Sequence, residues 1–332
     1  MAINRKSIFA GAVGGLLALY AAYGFYSSRT PEALDPLTSA TEHVGTDVTR
    51  DNLPPSGAVF TSTLIELVDT MMDKNGGYQS NDVAVKLGLY DNMAHFELGA
   101  IYMIRDAANI LRTDFSRSQS QSQEDPDLKE FVPKLSFDSD SWILPSTESR
   151  YQEASNGMKA YLKRMVDPAE RSTQFYTRAD NLVKYLDVSS QRLGSLSQAL
   201  VASVGQERVN TDLAGDKTAR ATTYTGSETV ARTPWLEIDD NFYEARGSLY
   251  ALIALYKAIR VDFYEVLEDK NALASIDQII REMEETQEIV WSPVILNGSG
   301  FGFVANHSLA MASYIGRANA AIIDLKELLA KG

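Results

Sequence analysis

DNMAHFELGAIYMIRDAANILRTDF (Asp91–Phe115) and DNFYEARGSLYALIALYKAIRVDF (Asp240–Phe263) repeat much of the same message within one chain. In the first, Phe96, Ala100, Ile101, Ile104, Ala107, Ala108, Leu111 and Phe115 recur at helical spacing and form one apolar stripe. In the second, Leu249 to Tyr256 are apolar on all sides, the pattern of a helix buried all round, and the run is too short to cross a bilayer. Gly99 and Gly247, Tyr102 and Tyr250, Arg112 and Arg260, Asp114 and Asp262, and Phe115 and Phe263 all match at an offset of 148. Asp91-Asn92 matches Asp240-Asn241, and Trp142 matches Trp291, at 149. A glycine inside a helix costs about 1 kcal/mol relative to alanine, so the matched glycines predict two helices whose backbones cross closely there. The intervals predict a duplicated unit.

Working outward, apolar spacing is helical over most of the chain beyond residue 58, with main helices expected at 58–73, 92–115, 147–166, 169–204, 234–267 and 306–330 and a short one at 271–287. No segment has the alternation of a sheet. Thr233-Pro234 and Asp91-Asn92 read as helix starts. The Ser/Gln-biased stretch after Phe115 and the Thr/Gly/Ala-rich stretch at 210–233 read as loops. The expected fold class is all-α: an N-terminal transmembrane helix, a tether, and a helical bundle of two pseudo-repeated three-helix units, residues 58–167 and 169–331.

The N-terminus supplies the address. Arg5 and Lys6 precede nineteen uncharged residues, Ile8 to Tyr26, which span roughly 28 Å as a helix, close to a bilayer's hydrocarbon thickness. This predicts residues 1–7 in the cytoplasm, a single-pass inner-membrane helix at 8–26, an extended proline-bearing tether at 27–57, and a periplasmic domain at 58–332. Gly11 and Gly15 form a G-x-x-x-G pair that would let two such helices approach closely in lipid, giving a homodimer.

Of the 332 residues, 45% are hydrophobic, enough for a sizeable core. A net charge of -13 removes nucleic acid as a partner, because that affinity comes from Lys and Arg displacing counterions. It also predicts that the domain stands off anionic lipid. The absence of cysteine excludes disulfides, thiolate nucleophiles and Cys-based zinc sites.

Candidate chemistry is sparse. Asp91 and His95 lie four apart on one long helix, and their matched positions Asp240 and Glu244 lie four apart on the other. Each pair therefore shares a helix face, and the two pairs facing each other would make a four-ligand divalent metal site. The bland reading of the same residues is a helix cap and a solvated polar face, and no cofactor is expected on that reading. Asn297, Gly298, Gly300 and Gly302 form a glycine-rich loop before His307, where backbone N–H groups at a helix start could hold an anion, although the Gly-Lys-Ser/Thr of a phosphate loop is missing. Glu148 near a helix start superficially resembles the acid of the α-helical lytic transglycosylases, on two or three residues only; a first-turn carboxylate favoured by the helix dipole is the simpler account.

DSWILPSTES (Asp140–Ser149), TPWLEIDDNFYEARG (Thr233–Gly247) and WSPVILNGSGFGFVANHSLAMASYI (Trp291–Ile315) are similar to the bacterial domain-of-unknown-function family 2333. The resemblance runs from about Phe60 to the end, departs in the loop after Asp216, and implies a single-anchor inner-membrane protein of Gram-negative bacteria. It transfers no catalytic residue. The expected function is a non-catalytic scaffold or accessory subunit of an envelope protein complex. The alternatives are an envelope hydrolase, peptidoglycan-directed or metal-dependent, and a small-ligand sensor.

Overall fold

In the computed structural model, the described residues are 5–82, 91–117, 123–170, 172–209, 228–292, 294–299 and 302–331. They form eleven helices: α1 (Arg5–Ser27), α2 (Pro36–Val44), α3 (Ala58–Asp73), α4 (Asn92–Ile110), α5 (Pro126–Phe131), α6 (Thr147–Val166), α7 (Ala179–Val201), α8 (Ile238–Asp262), α9 (Tyr264–Asp269), α10 (Leu273–Glu284) and α11 (His307–Ala330).

α4 and α8 run side by side and parallel through the centre. At one end His95 Nε2 lies 3.2 Å from Asp240 Oδ1; at the other the Phe115 and Phe263 rings meet with centroids 5.2 Å apart. The expected close crossing is present. A Cβ on Gly99 would lie 1.9 Å from the Glu244 carbonyl oxygen, and one on Gly247 would lie 1.8 Å from that of Phe96. Leu249 to Tyr256 are all buried. α3 and α6 pack together on one flank, α7 and α11 on the other, while α10 packs on α8 and α11. The matched acids lie at helix starts: Asp262, at the end of α8, accepts the Phe60 amide of α3 at 2.7 Å. The Asp114 carbonyl, beyond α4, accepts from Asn181 in the first turn of α7 at 3.2 Å.

Four expectations need correction. The segment 27–57 is not an extended tether. Asp35 caps α2, its Oδ2 accepting the Thr38 amide at 3.0 Å, and Pro36 occupies the first turn, where its missing N–H costs nothing. Ala40 and Val48 are buried, and Tyr250 donates to the Glu32 carbonyl at 2.9 Å. Next, α7 begins at Ala179 rather than near 169, and the stretch before it is held across the aromatic end by the Tyr176 amide donating to the Phe115 carbonyl at 2.7 Å. Third, beside the expected all-α fold the described residues hold one short antiparallel pair, β1 (Gln206–Val209) with β2 (Glu228–Ala231), where no strand was read. Residues 210–227, read as a surface loop, lie outside the described residues, as do 118–122 of the Ser/Gln-biased loop. Last, α8 starts from a turn at Trp235–Glu237, so Thr233 does not cap it.

α1 has 23 residues and spans the stretch expected to cross a membrane, yet among the described residues no helix is long and apolar enough to do so. Val13, Leu16, Leu19, Phe25 and Tyr26 are exposed along α1, whereas Gly24 and Ser27 are buried where its last turn meets the domain.

Candidate metal centre

The parallel pairing of α4 and α8 brings their N-terminal turns together, and with them Asp91, His95 and Asp240. One ligand atom from each lies within 4.8 Å of the other two. Asp91 precedes α4 without its side chain capping it, so the carboxylate is not spent on the helix. The His95 amide instead donates to the Asp91 carbonyl at 3.1 Å, which fixes the one-turn spacing between the two side chains. Asp240 Oδ1 is shielded from solvent and makes no hydrogen bond among the described residues, although His95 Nε2 lies 3.2 Å away.

The electrostatics match the geometry. Burial pushes the Asp240 carboxyl up to about 6; the facing His95 opposes the rise, and the neighbouring acids Asp91, Asp239 and Glu237 add to it. Two carboxylates and one imidazole suit a divalent ion such as Zn²⁺ or Mn²⁺, and ligand atoms around one ion stand roughly 3–4 Å apart, a small closure from what is seen.

Glu244, the expected fourth ligand, is not in this group. It lies one turn deeper, at the level where Gly99 abuts its carbonyl, and its carboxyl is raised by burial while His95 and Arg192 lower it. The expected group of four therefore reduces to three residues that could hold an ion, with Glu244 behind them.

The other candidates are placed differently. The loop before α11 closes on itself. Asn306 caps α11 by accepting the Leu309 amide at 2.8 Å and donates to Asn297 Oδ1 and the Gly298 carbonyl, both at 2.7 Å. Asn297 donates to the Ser203 carbonyl at 2.8 Å. His307 Nδ1 accepts the Leu296 amide at 3.1 Å, and burial lowers the ring's pKa. A Cβ at Gly298 would lie 1.9 Å from the Val304 carbonyl oxygen, so that glycine serves a close backbone approach. Gly302 leaves its Cβ direction near Ser299 Oγ, and Gly300 lies outside the described residues. The polar groups that would cradle an anion are thus used to hold the loop. Glu148 accepts from Asn81 at 2.9 Å and ties the 79–82 segment to the first turn of α6. Gly15 has open space at its Cβ position; the surroundings of Gly11 are outside what is described.

Sequence reasoning missed one buried acid and one half-buried acid. Glu97 is fully buried, 2.5 Å from Lys74 Nζ, and accepts the amides of Gln79 and Ser80 and the Ser80 hydroxyl. Burial raises its pKa and Lys74 opposes that rise. The signal was available: Glu97 stands three, four and seven residues before Ala100, Ile101 and Ile104, in register with the apolar stripe. Asp262 was seen as a repeated residue but not as a cap supplied by another helix.

No curated protein and no solved structure matches the chain. The model of a family described as uncharacterised and conserved in bacteria matches residues 4–332, and the chain belongs to that family, DUF2333.

Proposed function

We propose that this chain is a single-pass inner-membrane protein whose periplasmic helical bundle is a non-catalytic scaffold or accessory subunit of an envelope protein complex, and that a divalent metal ion held by Asp91, His95 and Asp240 clasps its two central helices. The observation that carries the metal reading is the solvent-shielded Asp240 oxygen, which makes no hydrogen bond among the described residues and faces His95 at 3.2 Å across the α4/α8 seam. A cation there would satisfy that oxygen and bind the two helices at the end opposite the Phe115/Phe263 contact. The anchor is supported by the nineteen uncharged residues behind Arg5 and Lys6, and by the apolar side chains of Leu16, Leu19 and Phe25 on α1, which are exposed among the described residues. Pairing through Gly11 and Gly15 belongs to the same reading. Duplication of a three-helix unit is supported by the matched pairs Gly99/Gly247, each against the other's helix, and Phe115/Phe263, whose rings meet at one end of the two helices.

A second reading, a metal-dependent envelope hydrolase, draws on Glu244. Three protein ligands leave room for a bound water, and a carboxyl raised by burial one turn away is the kind of group that could take its proton.

The test is metal analysis of full-length protein purified in mild detergent without chelators, with His95→Ala beside it. About one equivalent of metal, lost in the variant, supports the clasp; less than a tenth of an equivalent in the native chain overturns it. Hydrolysis of peptidoglycan fragments that disappears in Glu244→Gln while metal is retained would favour the second reading.

A further inference from the structure

All three tryptophans of the chain are exposed: Trp142 by 63%, Trp235 by 76% and Trp291 by 92%. Tryptophan is on average a well-buried residue, so three exposed ones and none in the core need a cause. Each stands beside another exposed apolar side chain: Leu144, Leu236 and Phe303 respectively, the last in the same loop as Trp291.

The fold collects these positions at one end of the bundle. The loop of Trp142 and Leu144 is held beside the start of α4. Tyr78 donates to the Ser139 carbonyl at 2.9 Å, Asn81 donates to that of Ser141 at 3.0 Å, and the adjoining residues Gln79 and Ser80 bond to Glu97 of α4. Trp235 and Leu236 form the turn that opens α8, whose first residues face Asp91 and His95. The loop of Trp291 and Phe303 is fixed to the same part of α8. Arg246 donates to the Gln287 carbonyl at 2.7 Å, and the His307 ring lies 6.3 Å from that of Phe242. The last turn of α1 is seated at this end too: Gln79 Nε2 donates to the Ser27 carbonyl at 2.9 Å. Three separate loops therefore present aromatic and aliphatic side chains where the apolar helix joins the domain.

We propose that this end of the bundle docks on the phospholipid surface, with the loops of Trp142, Trp235 and Trp291 seated in the interfacial layer beside the anchor. The inference rests on the anchoring reading and reverses the expectation that the acidic domain stands clear of the membrane. Tryptophan favours the water–lipid boundary, where its ring is apolar and its N–H stays wet, and apolar side chains flanking it add buried area. The negative net charge selects the lipid class: docking by apolar insertion suits a zwitterionic headgroup, since anionic heads would repel this chain.

Tryptophan fluorescence tests it directly, because α1 contains no tryptophan and is silent in the measurement. The full-length chain is reconstituted into phosphatidylcholine vesicles carrying bromine at upper or at deep acyl positions, and vesicle association is scored separately by flotation. Expected are co-flotation, at least a twofold quenching by shallow bromines and a weaker effect of deep ones, retained in variants with a single tryptophan at 142, 235 or 291 and the other two changed to Phe. Co-flotation with unquenched tryptophans overturns the docking while leaving the anchor in place, and would assign the exposed loops to a protein partner. Failure to float overturns both readings.

Discussion

Gly99 and Gly247 each press against the backbone of the other's helix, so that a β-carbon at either would fall within 2 Å of a carbonyl oxygen. The two central helices are thus as close as their backbones allow at one matched level, and Asp91, His95 and Asp240 stand one to two turns above it. This contact sets the spacing that puts Asp91 and His95 opposite Asp240.

Replacing Gly99 by Ala should therefore cost stability, although the same change in a free helix gains up to about 1 kcal/mol. The helices must separate or shift, and overpacking of this kind costs roughly 3 kcal/mol. Urea unfolding monitored by circular dichroism checks it. A Gly99→Ala variant as stable as the native chain would show that the crossing is looser than the structure has it.

Metal binding should weaken on acidification. The Asp240 carboxyl of the metal-free protein titrates at about 6, so above that pH it is ionised and available, and below it a proton competes with the metal. Affinity for Zn²⁺, measured by calorimetry, is expected to be nearly level from pH 7 to 8 and to fall on the order of tenfold per unit below about pH 6. Asp240→Asn should lose binding at every pH, whereas Glu244→Gln should keep it.

Asp262 gives the fold a pH dependence of the opposite kind to a paired surface acid. Burial raises it to about 7 despite amide donors from Gly57, Val59 and Phe60. Its unfolded value is near 3.9, so between about pH 4 and 7 the native state binds the extra proton, and stability falls as pH rises through that window, then levels. Asp262→Asn keeps an oxygen to cap α3 and carries no charge. Its stability relative to the native chain should rise by about 3 kcal/mol from pH 4.5 to 8. Parallel curves for the two proteins would remove Asp262 as the source.

The long helices and their crossing were legible because they rest on residue periodicity and on glycines that only a close approach explains. That Asp91, His95 and Asp240 come near one another was legible too, since matched faces of two adjacent helices must meet. That Glu244 stands apart was not, because a position one turn deeper along the seam depends on how closely the backbones approach, which a repeat interval does not encode. α2 was lost because the prolines of 27–57 were read as those of an extended tether, whereas Asp35-Pro36 is a capped helix start. The β1/β2 pair has four residues in each strand, too few for alternation to register. Glu97 was hidden because a carboxylate inside an apolar stripe looks like a solvated exception until Lys74 and two amides are seen around it.

The packing of 28–57 on the bundle predicts that a chain begun at Ala58 is compromised, although the sequence alone invites that boundary. Such a truncation removes α2 from α3, exposes the face against which Ala40 and Val48 are buried, and leaves the Tyr250 hydroxyl without the Glu32 carbonyl. It also removes His43, whose Nε2 lies 3.0 Å from Glu66 Oε2 and which holds the Glu66 carboxyl below its ordinary value. Burying Val48 alone contributes roughly 1.5–3 kcal/mol, so the loss over the segment should exceed about 3 kcal/mol. A chain begun at Ser28 keeps all these contacts and loses only α1 and its seat on Gln79. Thermal unfolding of the two truncations should place the Ser28 form well above the Ala58 form; equal midpoints would return the segment to the role of a tether.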